Sequence, residues 1–313
     1  MGYEELHAAW LAFRRHKKPS RSIDEFAYYL EANLRLLVQD IGQHTYRHGT
    51  YQTVVVHEKK RRDLAVASVR DRVVHRLVYD ELVRVFNPTL DPDVWSCRPK
   101  KGLYGCLERT QGLLRRHVDA YVWRMDIAKF FDHVHHDTLR VCLARRELRP
   151  QTMELSEQVI TSFYRQPGVG IPIGNLTSQI FANIYLNEFD RYVRHTLKPL
   201  AYVRYGDDVV MWARNHRDAH YFREQSVHFL RHALKMEINP RSDVLFRSCR
   251  GLHFLGHVIT SSYIVVDRHT TRSVLGKSSS RSIASYKSLR LASMPKKQLN
   301  WQLLDELNGR RVL

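Results

Sequence analysis

The residues of this chain best suited to chemistry are Asp207 and Asp208, in the middle of Ala201-Tyr-Val-Arg-Tyr-Gly-Asp-Asp-Val-Val-Met-Trp-Ala213. Tyr202 and Val203 lead in, Val209 to Trp212 lead out, and Gly206 precedes the acids. Two β-prone runs around a tight Gly-Asp-Asp step read as a hairpin with paired carboxylates at its tip. Adjacent like charges are costly unless a cation neutralises them. Magnesium, a hard ion that carboxylates hold beside phosphate oxygens, is the obvious one. The plainer alternative is an Asp-rich turn, but a solvated turn more often carries Asn-Gly or Asp-Gly. Metal chemistry asks for a third carboxylate. Tyr121-Val-Trp-Arg-Met-Asp126-Ile127 supplies it, as a β-prone run ending in an acid before Ala128-Lys-Phe-Phe-Asp132. Asp126 could serve instead as a helix cap, yet Ile127 and the Phe pair point to a packed site.

The elements that must position these acids follow from pattern. Residues 3 to 16 read as a helix with Leu6, Trp10 and Phe13 on one side. Ser22 to Glu25 has capping-box spacing before a second helix carrying Phe26, Leu30, Leu34, Leu37 and Ile41. Tyr51 to Val56 and Leu64 to Val69 read as strands around the charged tip His57 to Arg62. That tip alone is a solvated turn; in a nucleotide-handling protein its Lys and Arg would clamp a triphosphate. Helices are expected from Arg70 to about Phe86 and from Leu103 to Val118, with a basic loop, Trp95 to Gly102, between them. Another is expected over 150 to 165. The Gly/Pro-rich loop Gln166 to Gly174 then feeds a helix from Leu176 to about Val193. Gly174 would let backbone approach a base or phosphate; a plain loop before a core helix fits the residues equally well. An amphipathic helix over 217 to 234, a strand and stop from Leu234 to Pro240, and a hairpin strand from Gly251 to Ile259 complete the pattern. His133, His135 and His136 have no fourth ligand at suitable spacing, so capping or solvated roles are expected of them.

Composition bounds the partner. The 313 residues hold 50 Lys+Arg against 32 Asp+Glu, a formal charge of +18, which calls for a polyanion. Nucleic acid is favoured over membrane, because no apolar run approaches the about 18 residues of a spanning helix. The start, Met-Gly-Tyr-Glu-Glu-Leu-His, lacks a signal-peptide layout. Cys97, Cys106, Cys142 and Cys249 form no CxxC pair, which suits reduced cytoplasmic thiols and argues against zinc. From residue 261 the chain turns to Ser, Lys and Arg, with a low-complexity patch at Lys277 to Arg281 and a weak helix near Leu299 to Leu307.

In order, then, come a basic hairpin, strand-Asp126, a glycine loop with its helix, the Tyr-Gly-Asp-Asp hairpin, a Phe-Leu-Gly strand and a basic tail. This resembles reverse transcriptases over roughly residues 46 to 260. Arg70-Asp-Arg-Val-Val-His75, Ser96-Cys-Arg98 and Lys101-Gly102 resemble the family's finger segments, and Asp126 to Asp132 its first catalytic motif. Gly256 closes the segment that resembles its primer grip. Ile173-Gly-Asn-Leu-Thr-Ser-Gln179 narrows the likeness: intron-encoded and retron enzymes usually carry Gln-Gly there and end in Ser-Pro. An apolar residue before the Gly, with Ser-Gln at the end, resembles diversity-generating retroelements, as do Phe181 to Leu186 and Ser285 to Ser288. Two positions depart from the family. Gly206 stands where many relatives have a larger or different residue, which should leave room near the primer end, and Ser242 where a Lys often follows the Asn-Pro turn.

The resemblance implies an α+β right-hand polymerase with an antiparallel palm sheet, fingers and a short helical thumb. Its fingers would span about 1–120 and 150–175, its palm about 121–149 and 176–260, and its basic thumb 261–313. It implies RNA-templated addition of deoxynucleotides to a primer 3′-hydroxyl. Two magnesium ions about 3.5–4 Å apart, or manganese as a substitute, would be held by Asp126, Ile127, Asp207 and Asp208. The dNTP would meet Lys60, Arg62, Phe131 under the sugar, Ile173, Gly174 and Gln179. Implied partners are template RNA, a DNA or RNA primer, the cDNA product and a small basic oligomeric accessory protein, with no membrane. The expected setting is the cytoplasm, in a bacterial, archaeal or phage-encoded system. An intron- or retron-type enzyme is the near alternative, and the lack of a maturase or endonuclease extension after residue 313 is expected to weigh against the intron version. A metal-dependent nuclease and a catalytically silent RNA-binding scaffold stand further off.

Overall fold

The computed structural model describes residues 1–15, 17–57 and 61–267. Lys60, Ser285 to Ser288, the Lys277 to Arg281 patch, the weak helix near 299–307 and nearly all of the expected thumb lie outside the described residues. In chain order the elements begin with α1 (Tyr3–Arg14), α2 (Arg21–Tyr28), α3 (Leu30–Gly42), β1 (Gln52–His57), β2 (Arg61–Val66), α4 (Val69–Phe86) and α5 (Leu103–Arg116). β3 (Tyr121–Met125), α6 (His136–Ala144), α7 (Pro150–Thr161), α8 (Leu176–Tyr192), β4 (Ala201–Tyr205) and β5 (Asp208–Ala213) follow. The last are α9 (His216–Ala233), β6 (Val244–Arg247), β7 (Leu252–Phe254), β8 (His257–Ile259) and β9 (Ile264–Val266). The chain forms two compact units: Met1–Asp91 with Ile127–Tyr192 and Val227–Glu237, and Pro92–Asp126 with Val193–Ser226 and Ile238 onward.

The first unit is largely helical. α1 buries Leu6, Trp10 and Phe13, packs on α4, and α4 packs on α8. α8 is buried on nearly every side, including Thr177, Ser178, Asn183 and Asp190, so it is a central helix and not an amphipathic surface one. Ser68 caps α4, accepting from Asp71 N–H and donating to Asp71 Oδ2 (2.7 Å). Tyr46 Oη (2.9 Å) and Gly49 N–H (3.2 Å) also donate to this fully buried carboxylate. Its burial is thereby matched by hydrogen bonds.

The structure corrects two expectations in this unit and adds a helix. The capping box at Ser22 does not form: Ile23 and Asp24 N–H already donate to Ser20 O (both 2.9 Å), so the helix is wound before Ser22. The single helix carrying Phe26 to Ile41 is two, broken at Tyr29 (φ −104°, ψ 30°). Asn33 Nδ2 takes the Phe26 carbonyl at 3.1 Å, and Phe26 tilts onto Trp10 with ring centroids 5.1 Å apart. α6 was not anticipated at all, because its buried stripe is short: His136, Leu139, Cys142 and Leu143.

The second unit is built on a four-stranded sheet, order β4-β5-β3-β6, with every neighbouring pair antiparallel. Val122, Val203, Val210 and Trp212 of this sheet share a core with Leu107, Leu113 and Leu114 of α5. Leu252, Phe254, Ile259 and Ile264 of a three-stranded sheet, β7-β8-β9, close the same core. The expected strand at Leu234 to Pro240 is instead an irregular segment after α9, and β6 comes later. Lys235 has φ 56°, which ends any extended run there. The Gly251 to Ile259 stretch is both strands of a tight hairpin, turned at Leu255 and Gly256 with φ 51° and 75°.

Candidate active site

The acids of the second unit meet through strand register. β4 and β5 pair Tyr205 with Asp208, leaving Gly206-Asp207 as the two-residue turn. Gly206 takes φ 67°, and a Cβ there would sit 3.8 Å from Ser96 Oγ, an ordinary contact. Glycine is therefore required by the backbone, and extra room is not the reason. β3 and β5 pair Met125 with Val209, so continuing the register by one residue sets Asp126 opposite Asp208. Three carboxylates from two segments are thus gathered at one end of the sheet.

Their electrostatics differ from one another. Asp207 has its pKa pushed up to about 6, by burial first, then by Asp208 and, more weakly, Asp126. It makes no ion pair to another side chain among the described residues. Asp208 is also raised by burial, but Arg124 Nη2 lies 3.0 Å from its Oδ1 and opposes the shift. Asp126 is clasped from the Asn239–Ser242 turn. Its N–H donates to Ser242 Oγ (2.9 Å), its carbonyl accepts from Asn239 N–H (2.9 Å), and Ser242 Oγ also meets Oδ1. Arg204, fully buried on β4, donates from Nη1 to Gly206 O at 2.9 Å and braces the turn.

Carboxylate oxygens on short side chains are the donor set a hard divalent cation prefers, and a protein that keeps like charges together this way has use for one. The residues fit such an ion in type. Among the described residues, however, no group of three or more acids, His or Cys is arranged to hold a metal. The two observations agree: the carboxylates are near enough to raise Asp207, yet Asp208 is turned to Arg124 and Asp126 to Ser242. Arg124, Arg204, Asn239 and Ser242 as partners of the acids were missed from the sequence. The signal for Arg124 was its place two residues before Asp126 on a strand, hence on the same face.

The remaining candidates fall in the first unit. Ile127 is buried directly after Asp126. Phe131 lies in the 3₁₀ turn Phe130–Asp132, half-buried, edge-on to Phe130 at 5.5 Å. Its carbonyl accepts from Ile171 N–H (2.9 Å), which ties the turn to the glycine loop. Ile173 O accepts from Ala65 N–H (3.2 Å) and Asn175 Nδ2 donates to Ala65 O (2.8 Å), so the loop runs along β2. Gly174 has φ 103° and is exposed, as is Gln179 on α8. Arg62 is on β2, paired with Val56. The histidines have local roles: buried His136 bonds Gly170 O through Nε2 (2.8 Å), and His133 Nδ1 bonds Ala128 O (3.1 Å).

Residues 52–259, two-thirds of the chain, match the family described as reverse transcriptase (RNA-dependent DNA polymerase). The chain belongs to the reverse transcriptase family. Among curated relatives, Protein YkfC of Escherichia coli is 24% identical over 63% of this chain and 63% of its own length. The group II intron-encoded protein LtrA of Lactococcus lactis is 21% identical over 74% of this chain and 50% of its own. The chain thus spans less than two-thirds of either relative. Among solved structures, apo telomerase from Candida tropicalis, truncated from the C-terminal domain, superposes with a TM-score of 0.54 at 11% identity. That match covers 74% of this chain and 59% of the telomerase. At such identity the likeness is one of fold, a mixed helix and sheet architecture shared with reverse transcriptases. No helix among the described residues is long and apolar enough to cross a membrane.

Proposed function

We propose that this reverse transcriptase family member is an RNA-directed DNA polymerase, extending a primer 3′-hydroxyl with deoxynucleotides on an RNA template. The gathering of Asp126, Asp207 and Asp208 by sheet register, with Asp207 raised and in no ion pair among the described residues, carries the reading. Asp126, Asp207 and Asp208, with the Ile127 carbonyl, would hold two divalent cations, whose chemistry there would be to activate the primer hydroxyl and stabilise the leaving pyrophosphate. Arg124 neutralises Asp208 until a cation does so. Ser242 and Asn239 fix Asp126, while Arg204 and Gly206 fix the turn that presents Asp207. The four-stranded sheet serves as palm and the first unit supplies fingers; Lys60 and Arg62 meet the triphosphate, and Gly174 and Gln179 flank the nucleotide. Phe131 lies under the sugar and excludes a 2′-hydroxyl.

Within the family, the Ile173 to Gln179 motif supports a diversity-generating retroelement enzyme that copies a template RNA with errors, assisted by a small basic accessory protein. The likeness to LtrA favours a second reading, a group II intron-like enzyme.

Primer extension on an RNA template with dNTPs and magnesium tests the activity. The wild type should lengthen the primer, and Asp207→Asn should lose on the order of 10³-fold in rate, about 4 kcal/mol of transition-state stabilisation. RNA binding should be retained. A shortened primer would make the protein a nuclease, and an Asn variant as fast as wild type would remove Asp207 from the metal site.

A further inference from the structure

The second unit carries two imidazoles with their nitrogens face to face. His216 opens α9 and His220 follows four residues on, the spacing that sets two side chains on one side of a helix. Their Nε2 atoms lie 3.2 Å apart, with ring centroids at 4.4 Å and ring planes at 66°. Two nitrogen lone pairs repel at that distance, so one ring must donate its N–H to the other. The other occupant that satisfies both lone pairs is a metal ion. Two nitrogens each about 2.0–2.1 Å from one tetrahedral ion stand about 3.3 Å apart, close to the separation here.

The pair is held in place by its surroundings. Tyr121, the first residue of β3, meets the His216 ring edge-on at 5.3 Å, and the Arg247 guanidinium lies 5.4 Å from the centre of the Tyr121 ring. Asn215 fixes the first turn of α9: its Oδ1 accepts from Asp218 N–H (2.8 Å) and its Nδ2 donates to Asp218 Oδ2 (3.1 Å). Ala219, buried between the two histidines in sequence, seats that turn. Both imidazoles are exposed, so an ion reaches them from solvent. A second pair on α9, His228 and His232, has the same spacing and a different arrangement. Its rings stack with centroids 4.1 Å apart, and His232 Nδ1 donates to the His228 carbonyl at 2.9 Å. Spacing alone therefore does not make the first pair; the facing nitrogens do.

We propose that His216 and His220 form a binding site for a transition-metal ion, zinc or copper(II), held through both Nε2 atoms. Imidazole suits those ions and carboxylate oxygen suits magnesium, so the pair discriminates against the ion expected at the acids. Among the described residues no third His, Cys, Asp or Glu is arranged with the pair to hold a metal, so water fills the remaining positions. The ion ties two successive turns of α9 together. From Tyr121 to Asp126 the chain advances about 16 Å along β3, so the site stands at the other end of that strand from the acids. It does not rest on the polymerase reading.

Isothermal titration calorimetry of zinc chloride, and separately of copper(II) chloride, into the full chain with magnesium in excess tests it. The wild type should show a binding step for one ion, tighter for copper(II) than for zinc. His216→Gln and His220→Gln should each remove that step, because a single imidazole is left; His228→Gln/His232→Gln should keep it. A step for either ion supports the site if both single variants lose it. Thermal melting separates ligation from a structural role. All four histidines are exposed, so without zinc the variants should melt alongside the wild type. Saturating zinc should raise the melting temperature of the wild type and of His228→Gln/His232→Gln by a few degrees, and leave both single variants unmoved. No zinc or copper(II) step in the wild type, a step retained in both single variants, or one lost only with His228 and His232 would overturn the proposal. Primer extension in magnesium without zinc, read beside these titrations, bears on the polymerase reading alone.

Discussion

The carboxylate end of the β4-β5 hairpin and the basic face of α1 and α4 both hold charge short of partners, and they are built in opposite ways. The acids sit on short side chains at strand ends, fixed by register, by Arg204 on the Gly206 carbonyl and by Ser242 on Asp126. The cations sit on long side chains around helix ends, and Arg15 and Lys17 are exposed. A small cation demands oxygens at set positions, which strands supply. A polyanion demands reach and tolerance of position, which Arg and Lys supply. Rigidity should therefore matter at the first region and net charge at the second.

The sharpest way to break that contrast is at Ser242. Ser242→Ala removes the oxygen that accepts from Asp126 N–H, and partners that orient metal ligands typically matter by about 10–100-fold. kcat should fall by about that factor, with a raised magnesium requirement and little change in dNTP KM or RNA affinity. Ser242→Thr, which keeps the hydroxyl, should restore most of the rate. If Ala matches wild type across a magnesium titration, Asp126 is held by its strand alone and the acid region does not depend on a rigid serine clasp.

A smaller effect is expected at the glycine loop. Ile173 offers shape where Gln would offer hydrogen bonds. One such bond is worth on the order of 1 kcal/mol, and about 1.36 kcal/mol is tenfold in rate. Ile173→Gln should lower misincorporation opposite template adenine by up to about tenfold while extension continues; Phe131→Ala, in the same unit, should admit ribonucleotides. Sequenced cDNA from one adenine-containing template, and matched ribo- and deoxynucleotide incorporation, read the two. Equal error rates would leave Ile173 a packing residue, and an unchanged sugar preference would place the gate elsewhere.

The smallest effect is on stability and carries a definite sign. Asp207 has a folded pKa of about 6 against an ordinary value of 3.8. Below about pH 3.8 both folded and unfolded chains hold the proton and there is no penalty. Between these values the unfolded chain releases its proton first, so the penalty on the folded state grows, and above about pH 6 it is complete. Replacement by a side chain of the same shape would by itself barely alter stability. The raised pKa instead predicts that metal-free Asp207→Asn melts a few degrees above wild type at pH 7.5, with the gap closing toward pH 4. Magnesium should raise the melting temperature of the wild type more than that of the variant. A gap that is constant with pH would mean Asp207 is not strained by its neighbours.

What could be read from the sequence was whatever short-range pattern encodes. The Tyr-Gly-Asp-Asp hairpin, strand-Asp126 and the helix after Gly174 all formed where expected, because alternating apolar runs and a glycine that must take positive φ are local statements. Local statements also misled. Ser22 to Glu25 has the right spacing for a cap, yet Ser20 had already begun the helix, and a stripe from Phe26 to Ile41 hid the break at Tyr29. The partners of the acids were out of reach for a different reason. Arg124 meets Asp208 across 84 positions and Ser242 meets Asp126 across 116. Spacing along the chain says nothing about such pairs, since strand order and register decide which side chains share an edge. The sequence by itself therefore determined the family and the turn that carries Asp207. Only the tertiary structure decided that, among the described residues, Asp207 and Arg72 make no ion pair and that Asp126 is gripped by a serine. Each of these is a matter of burial and pairing between distant segments.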